Sequence, residues 1–165
     1  MSTENIFEQK DHTEYLVFHS LEMTELRTAL AKWPLHITLL GPTQLSGRDG
    51  LTKLREIVSG IAMAHSAFYV HPGDRALFGP KENEEVTKIL DLTGNLQLIH
   101  NKLLRGIGEI GCQNFDDRWS GLRFTPHVTD KGGKGLGPNL VYVNSLSICA
   151  KNRGQRQILE TVTLA

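Results

Sequence analysis

Two histidines stand where a buried strand would carry apolar residues. "PLHITLLGP" (34–42) sets His36 ahead of Ile37 and Thr38, and "FTPHVTD" (124–130) sets His127 ahead of Val128 and Thr129. Residues i and i+2 of a strand share a face, so each histidine shares a face with its threonine. With the two strands side by side, one surface carries two imidazoles and two hydroxyls. That set suits a phosphodiester. A neutral imidazole takes a proton from the attacking oxygen, and an imidazolium gives one to the leaving oxygen. The threonine hydroxyls donate to the non-bridging oxygens as charge builds there. This chemistry needs no metal. The other histidines, His12, His19, His65, His71 and His100, lack the pattern. His71 and His100 also lack zinc-site spacing, so neither a metal nor a cofactor is expected.

The surrounding pattern supplies the elements that would hold these groups. Residues 1–13 read as a loose tail and "EYLVFHS" (14–20) as a strand. "MTELRTALAKW" (23–33) has helix formers, with Leu26 and Leu30 four apart. "LHITLLG" (35–41) reads as a strand closed by Gly41-Pro42. Residues 47–65 form the clearest helix, with Leu51, Leu54, Val58 and Ile61 as its buried stripe. "AFYV" (67–70) and "RALFG" (75–79) read as strand pieces around a Pro-Gly turn, and 84–92 as a strand. Residues 95–110 form a second helix, with stripe Leu96, Ile99, Leu103 and Ile107 and Asn95 as N-cap. "GLRFTPHVT" (121–129) is the second histidine strand. "DKGGKGLGPN" (130–139) is a flexible, glycine-rich loop. Residues 140–151 and 156–164 form a hairpin across "NRGQ". Hairpins mixed with two long helices indicate an α+β fold.

Length and composition narrow the function. The chain has 165 residues, enough for one domain with a real core. Lys plus Arg and Asp plus Glu number 18 each. That balance provides no global positive field for a long polyanion, but a local cluster can still hold a small anion. Lys131 and Lys134, in the glycine-rich loop, are candidates to reach a substrate phosphate as mobile point charges. Two cysteines outside any C-x-x-C pair suit reduced thiols in a cytoplasmic protein. No apolar run is long enough for a membrane span.

"LHITLLG" and "TPHVT" resemble the paired H-x-T/S motifs of the 2H phosphoesterase superfamily, the LigT-like group of 2'-5' RNA ligases and cyclic nucleotide phosphodiesterases. The opening strand and closing hairpin stand where that family places its first and final strands. The resemblance implies a single two-lobed domain over 1–165, with two antiparallel-rich sheets forming a central cleft flanked by helices. It implies a metal-independent phosphodiesterase acting near a 2'-hydroxyl or a 2',3'-cyclic phosphate, or forming such bonds in reverse. The site would be His36, Thr38, His127 and Thr129. Expected substrates are small nucleotides, cyclic or short oligonucleotides and RNA ends, met by a monomer. The alternative is a module that binds a nucleotide or RNA end without turnover. Tyr15, Phe18, Tyr69, Phe78 and Trp119 are candidates to stack on a base. Tyr15 and Phe18 are preferred, because the first strand borders the family's cleft. The sequence departs from the family after the second motif, where Asp130, Lys131 and the glycine loop replace apolar residues. That departure leaves the substrate open.

Overall fold

The computed structural model describes residues 13–114 and 120–165. The expected loose tail, apart from Thr13, and Trp119 lie outside the described residues. Strand β1 (Glu14–Ser20) is buried on both faces from Tyr15 to His19. It lies at the centre of a five-stranded antiparallel sheet ordered β5-β2-β1-β8-β9. Its neighbours are β2 (His36–Gln44) and β8 (Ser145–Asn152), with β9 (Gln155–Thr163) on one flank and the two-residue β5 (Gln113–Asn114) on the other. Gly41-Pro42 does not close β2. The ladder slips there instead, with Tyr15 opposite Thr43 and Val17 opposite Leu40. A bulge absorbs the proline, which has no N–H to give a ladder.

The expected helix over 23–33 is absent; residues Met23–Trp33 are irregular. Leu26 is largely exposed, so the segment lacks an apolar stripe to bury. Its backbone turns instead to the open edge of β9. Arg27 N–H donates to the Ile158 carbonyl (2.7 Å) and Leu30 N–H to the Arg156 carbonyl (2.8 Å). This covers a sheet edge that would otherwise present unpaired groups. It also brings Trp33 and Leu30 down on Leu16, Phe18, Cys149 and Ile158.

The second sheet is ordered β6-β4-β3-β7 and is also antiparallel. It joins β3 (Phe68–Phe78), β4 (Glu84–Leu90), β6 (His127–Thr129) and β7 (Val141–Val143). The two strand pieces expected over 67–79 form one strand. Its Pro-Gly step is a bulge between Pro72 and Arg75, and a Cβ on Gly73 would sit 3.1 Å from the Lys88 carbonyl. The second histidine strand keeps only three residues, because 121–123 make a 3₁₀ turn. The strand expected over 140–151 divides at Asn144. β7 pairs with β3 and β8 with β1, so one continuous segment ties the two sheets together.

Both helices form as the periodicity requires. α1 (Gly50–Ala64) buries Leu51, Leu54, Val58 and Ile61. α2 (Asn95–Glu109) buries Leu96, Ile99, Leu103 and Ile107, and also His100. Asn95 is not the cap of α2; Gly94 holds that place. Asp91 and Thr93 take the free donors, Asp91 accepting from the Leu96 N–H (2.8 Å) and Thr93 from that of Asn95 (3.2 Å). The core draws on both helices and both sheets. Among the described residues no helix is long and apolar enough to cross a membrane.

Candidate active site

The two motif strands belong to different sheets and come together as neighbouring edges. β5 pairs only with Thr43 and Gln44, so the His36–Leu40 half of β2 is an open edge. β6 is the edge of the other sheet. The two edges meet. Alternation holds on each strand. Ile37, Leu39 and Val128 are fully buried in the core, while His36, Thr38, His127 and Thr129 face away from it. Thr38 and His127 line one small pocket between the edges, together with Gly41, His100 and Phe124.

Both histidines are held in the same way. His36 Nδ1 lies 2.7 Å from the Pro34 carbonyl, and His127 Nδ1 lies 2.8 Å from the Thr125 carbonyl. A carbonyl only accepts, so each Nδ1 carries a proton, and Nε2 is the ring nitrogen whose protonation can change. Each ring also rests on a phenylalanine. Phe18 lies 4.4 Å from His36 between centroids, and Phe78 meets His127 edge-on at 4.8 Å. Burial pushes His36 down to about 4. The Pro34 carbonyl opposes that shift, while the charges of Lys131 and His127 add to it. The His36 ring is therefore neutral near pH 7 and within electrostatic reach of His127.

His100 joins the two sides. Leu39 is the extra residue of a bulge in β2, between Thr38 opposite Phe18 and Leu40 opposite Val17. The Leu39 carbonyl accepts from His100 Nδ1 at 2.6 Å. His100 Nε2 in turn accepts from the Gly121 N–H at 2.9 Å. The ring stacks on Phe124, 4.1 Å between centroids and 9° from parallel. Gly121 and Phe124 belong to the segment that enters β6, so α2 fixes both motif strands through one imidazole.

A profile of the 2'-5' RNA ligase superfamily matches residues 9–132, which include both H-x-T stretches. The chain belongs to that superfamily. It is an enzyme of the 2H phosphoesterase type. No curated protein sequence matches the chain. Superfamily architecture is clear in solved structures. E. coli LigT complexed with 3'-AMP is 17% identical with a TM-score of 0.61, covering 93% of this chain and 98% of its own. LigT complexed with NADP+ is 16% identical at 0.61, covering 94% and 99%. A Thermus thermophilus protein, TT0787, is 16% identical at 0.59, covering 92% and 97%. At these identities the likeness establishes the shared LigT-like α+β fold.

The remaining candidates of this superfamily member separate cleanly. Tyr15 is a correction: it is 6% exposed and belongs to the main core. Phe18 is another: it is fully buried, T-shaped against Trp33 and packed on His36, so no base can reach it. The segment expected as a helix over 23–33 covers this side of β1, with Trp33 and Leu30 packed on Phe18. Lys134 is not a free charge; its ammonium pairs with Glu22, whose other oxygen accepts from the Leu35 N–H at 3.0 Å. That pairing holds the Glu22 carboxyl below its usual range. The glycine loop begins as a tight hairpin, Lys131 and Lys134 exchanging two backbone hydrogen bonds. Gly132 and Gly133 span it at φ 55° and 81°, a conformation glycine adopts freely. Lys131 is half-buried and its charge reaches His36. Tyr69 is exposed and pairs with Tyr142, rings 4.7 Å apart. Register puts both on the face of the second sheet that carries His127 and Lys88. Sequence reasoning missed Tyr142, Lys88 and His100. His100 did leave a signal: it falls among the buried positions of α2, where a polar ring needs partners.

Proposed function

We propose that the chain is a metal-independent phosphodiesterase. It would act on small nucleotides or RNA ends where a 2'-hydroxyl or a 2',3'-cyclic phosphate flanks the scissile bond. The observation that carries this reading is the matched clamp: each motif histidine commits Nδ1 to the carbonyl two residues back. The two clamped rings stand on facing edges of two sheets, and Nε2 is the nitrogen assigned to proton transfer on each. His36, neutral at pH 7, is the base that takes the proton of the attacking water or hydroxyl. A phosphate anion entering the cleft raises its basicity. His127 as imidazolium gives a proton to the leaving oxygen. Thr38 and Thr129 donate to the non-bridging oxygens. In the cyclic-phosphate case, water adds to phosphorus and the P–O bond to one ribose oxygen breaks. The water's proton goes to His36, and His127 protonates the departing ribose oxygen, which leaves as a hydroxyl.

LigT was crystallised with 3'-AMP and with NADP+, which supports a nucleotide ligand here. Tyr69 and Tyr142 offer it an aromatic platform on the His127 side. Both cysteines are buried free thiols, which suits a reducing cytoplasm. The test is a panel of 2',3'-cyclic nucleotides, 2'-5' and 3'-5' oligonucleotides and cyclic dinucleotides, read by mass spectrometry. Turnover of at least one class that persists in EDTA is expected. The described residues hold no group of three or more His, Cys, Asp or Glu side chains able to bind a metal. Binding without product would leave a capture module. Loss of turnover in EDTA with rescue by a divalent metal would remove the two-histidine mechanism.

A further inference from the structure

Beside His36 the structure gathers cations that the reaction does not use. The Lys131–Lys134 hairpin and the segment before β2 meet there. Lys32 Nζ is 3.8 Å from where a Cβ on Gly132 would lie. Arg156, on the β9 edge, pairs by its backbone with Leu30 and donates from Nη1 to the Ala31 carbonyl at 3.2 Å. Its Nε is buried with no hydrogen-bond partner. Lys131 lies within electrostatic reach of His36, Lys32 and Arg156. Burial lowers its pKa, the two cations lower it further, and Glu84 alone opposes them. Among the described residues none of the three cations makes an ion pair. Glu22, which Lys134 and the Leu35 N–H engage, also lies within electrostatic reach of Lys32.

Three like charges gathered by a fold of zero net charge repel one another, and Glu22, already paired with Lys134, and Glu84 offset them only in part. We propose that Lys32, Lys131 and Arg156 form a second anion subsite beside the scissile position, which takes a second phosphate of the same nucleotide. The inference rests on the proposed function and narrows its substrate to nucleotides with phosphates at two positions, such as a 5'-phosphorylated 2',3'-cyclic nucleotide or a short oligonucleotide. The Glu22–Lys134 pair anchors the hairpin that carries Lys131.

The test uses the full chain and needs no turnover. Titration calorimetry compares adenosine 3'-monophosphate with adenosine 3',5'-bisphosphate at low salt, on wild type, Lys32→Ala and Lys32→Glu. Lys32 is exposed, so its replacement leaves the core intact. The bisphosphate is expected to bind about tenfold more tightly to wild type, as a charge-assisted contact implies. Lys32→Ala should shrink that preference and Lys32→Glu abolish it, with the monophosphate unaffected. Equal affinities in wild type, or a preference that survives Lys32→Glu, overturns the subsite. A bisphosphate preference without turnover of any panel substrate overturns the phosphodiesterase reading and leaves the subsite standing.

Discussion

The two H-x-T strands carry the same three residues in the same local clamp, yet they sit in opposite surroundings. β2 is nine residues long, pairs along its length with β1 and has Phe18 fully buried beneath its histidine. β6 is three residues long, lies at a sheet edge and has a half-buried Phe78 edge-on to its histidine. His36 is thus fixed by the core. His127 is fixed from outside its strand, through the Thr125 carbonyl, the turn at 121–123 and His100. Identical motifs therefore yield unequal groups: a desolvated, neutral ring on one side, and on the other a ring whose placement depends on a neighbouring helix. The proposed acid and base roles ask for unequal surroundings of this kind.

The largest expected effect comes from breaking both sides. His36→Ala and His127→Ala should each lower kcat/KM by about 10²–10⁴, the usual worth of positioned proton transfer. The double variant should lose far less than the product of the two, because groups acting as a unit are not additive. Thr38→Ala and Thr129→Ala should each cost about 10- to 100-fold, somewhat less than a full oxyanion donor. Steady-state kinetics on folded variants measures this. Near-wild-type turnover in either histidine variant would take that ring out of the mechanism.

The two phenylalanines test how rigidly each side is held. Phe18→Ala removes a fully buried ring and should destabilise the fold by about 3–5 kcal/mol. Phe78→Ala removes a half-buried one and should cost less than half of that. Denaturant unfolding of the pair is decisive, and equal losses would erase the asymmetry between the motifs.

His100 tests the external support of His127. His100→Leu cannot donate to the Leu39 carbonyl or accept from the Gly121 N–H. A small misplacement of catalytic groups then lowers kcat by about 10², with KM nearly unchanged. His100→Gln, which keeps a donor and an acceptor, should restore most of the rate. Equal kcat in the two variants would reduce His100 to a packing residue.

These contrasts also explain what the sequence reading could reach. β1, α1, α2 and the opposite facing of His36 and Ile37 were legible because periodicity of two or of three to four is local information. The cap of α2 and the proline bulges were local misses, and the larger failures were tertiary. Leu26 and Leu30 at helical spacing lost to the open edge of β9, which no local pattern reveals. Phe18 was preferred because the first strand borders the family's cleft, but that same segment covers it. The break at Asn144 moves one apolar run between two sheets, and nothing in "LVYVNSLSICAK" marks it. The period of two puts each histidine on a face with its threonine, but it does not say that the two strands belong to different sheets that meet edge to edge.

The smallest effect reads the asymmetry through pH. An unfolded histidine protonates near 6.5, whereas folded His36 resists protonation until about 4. Between those values the unfolded chain binds more protons, so stability is full above pH 6.5 and falls as pH drops towards 4. The shift alone corresponds to about 3 kcal/mol, and the partial exposure of the ring reduces this to about 1–2 kcal/mol. His19, lowered by burial, and His65, lowered by burial and by Lys102, act in the same direction. Wild-type unfolding free energy should therefore decline from pH 6.5 to 4. His36→Asn, which has no proton to take up in that window, should decline less steeply by about 1–2 kcal/mol across it. The same slope in both proteins would mean that folded His36 titrates like an exposed imidazole, and that burial does not set the first motif apart from the second.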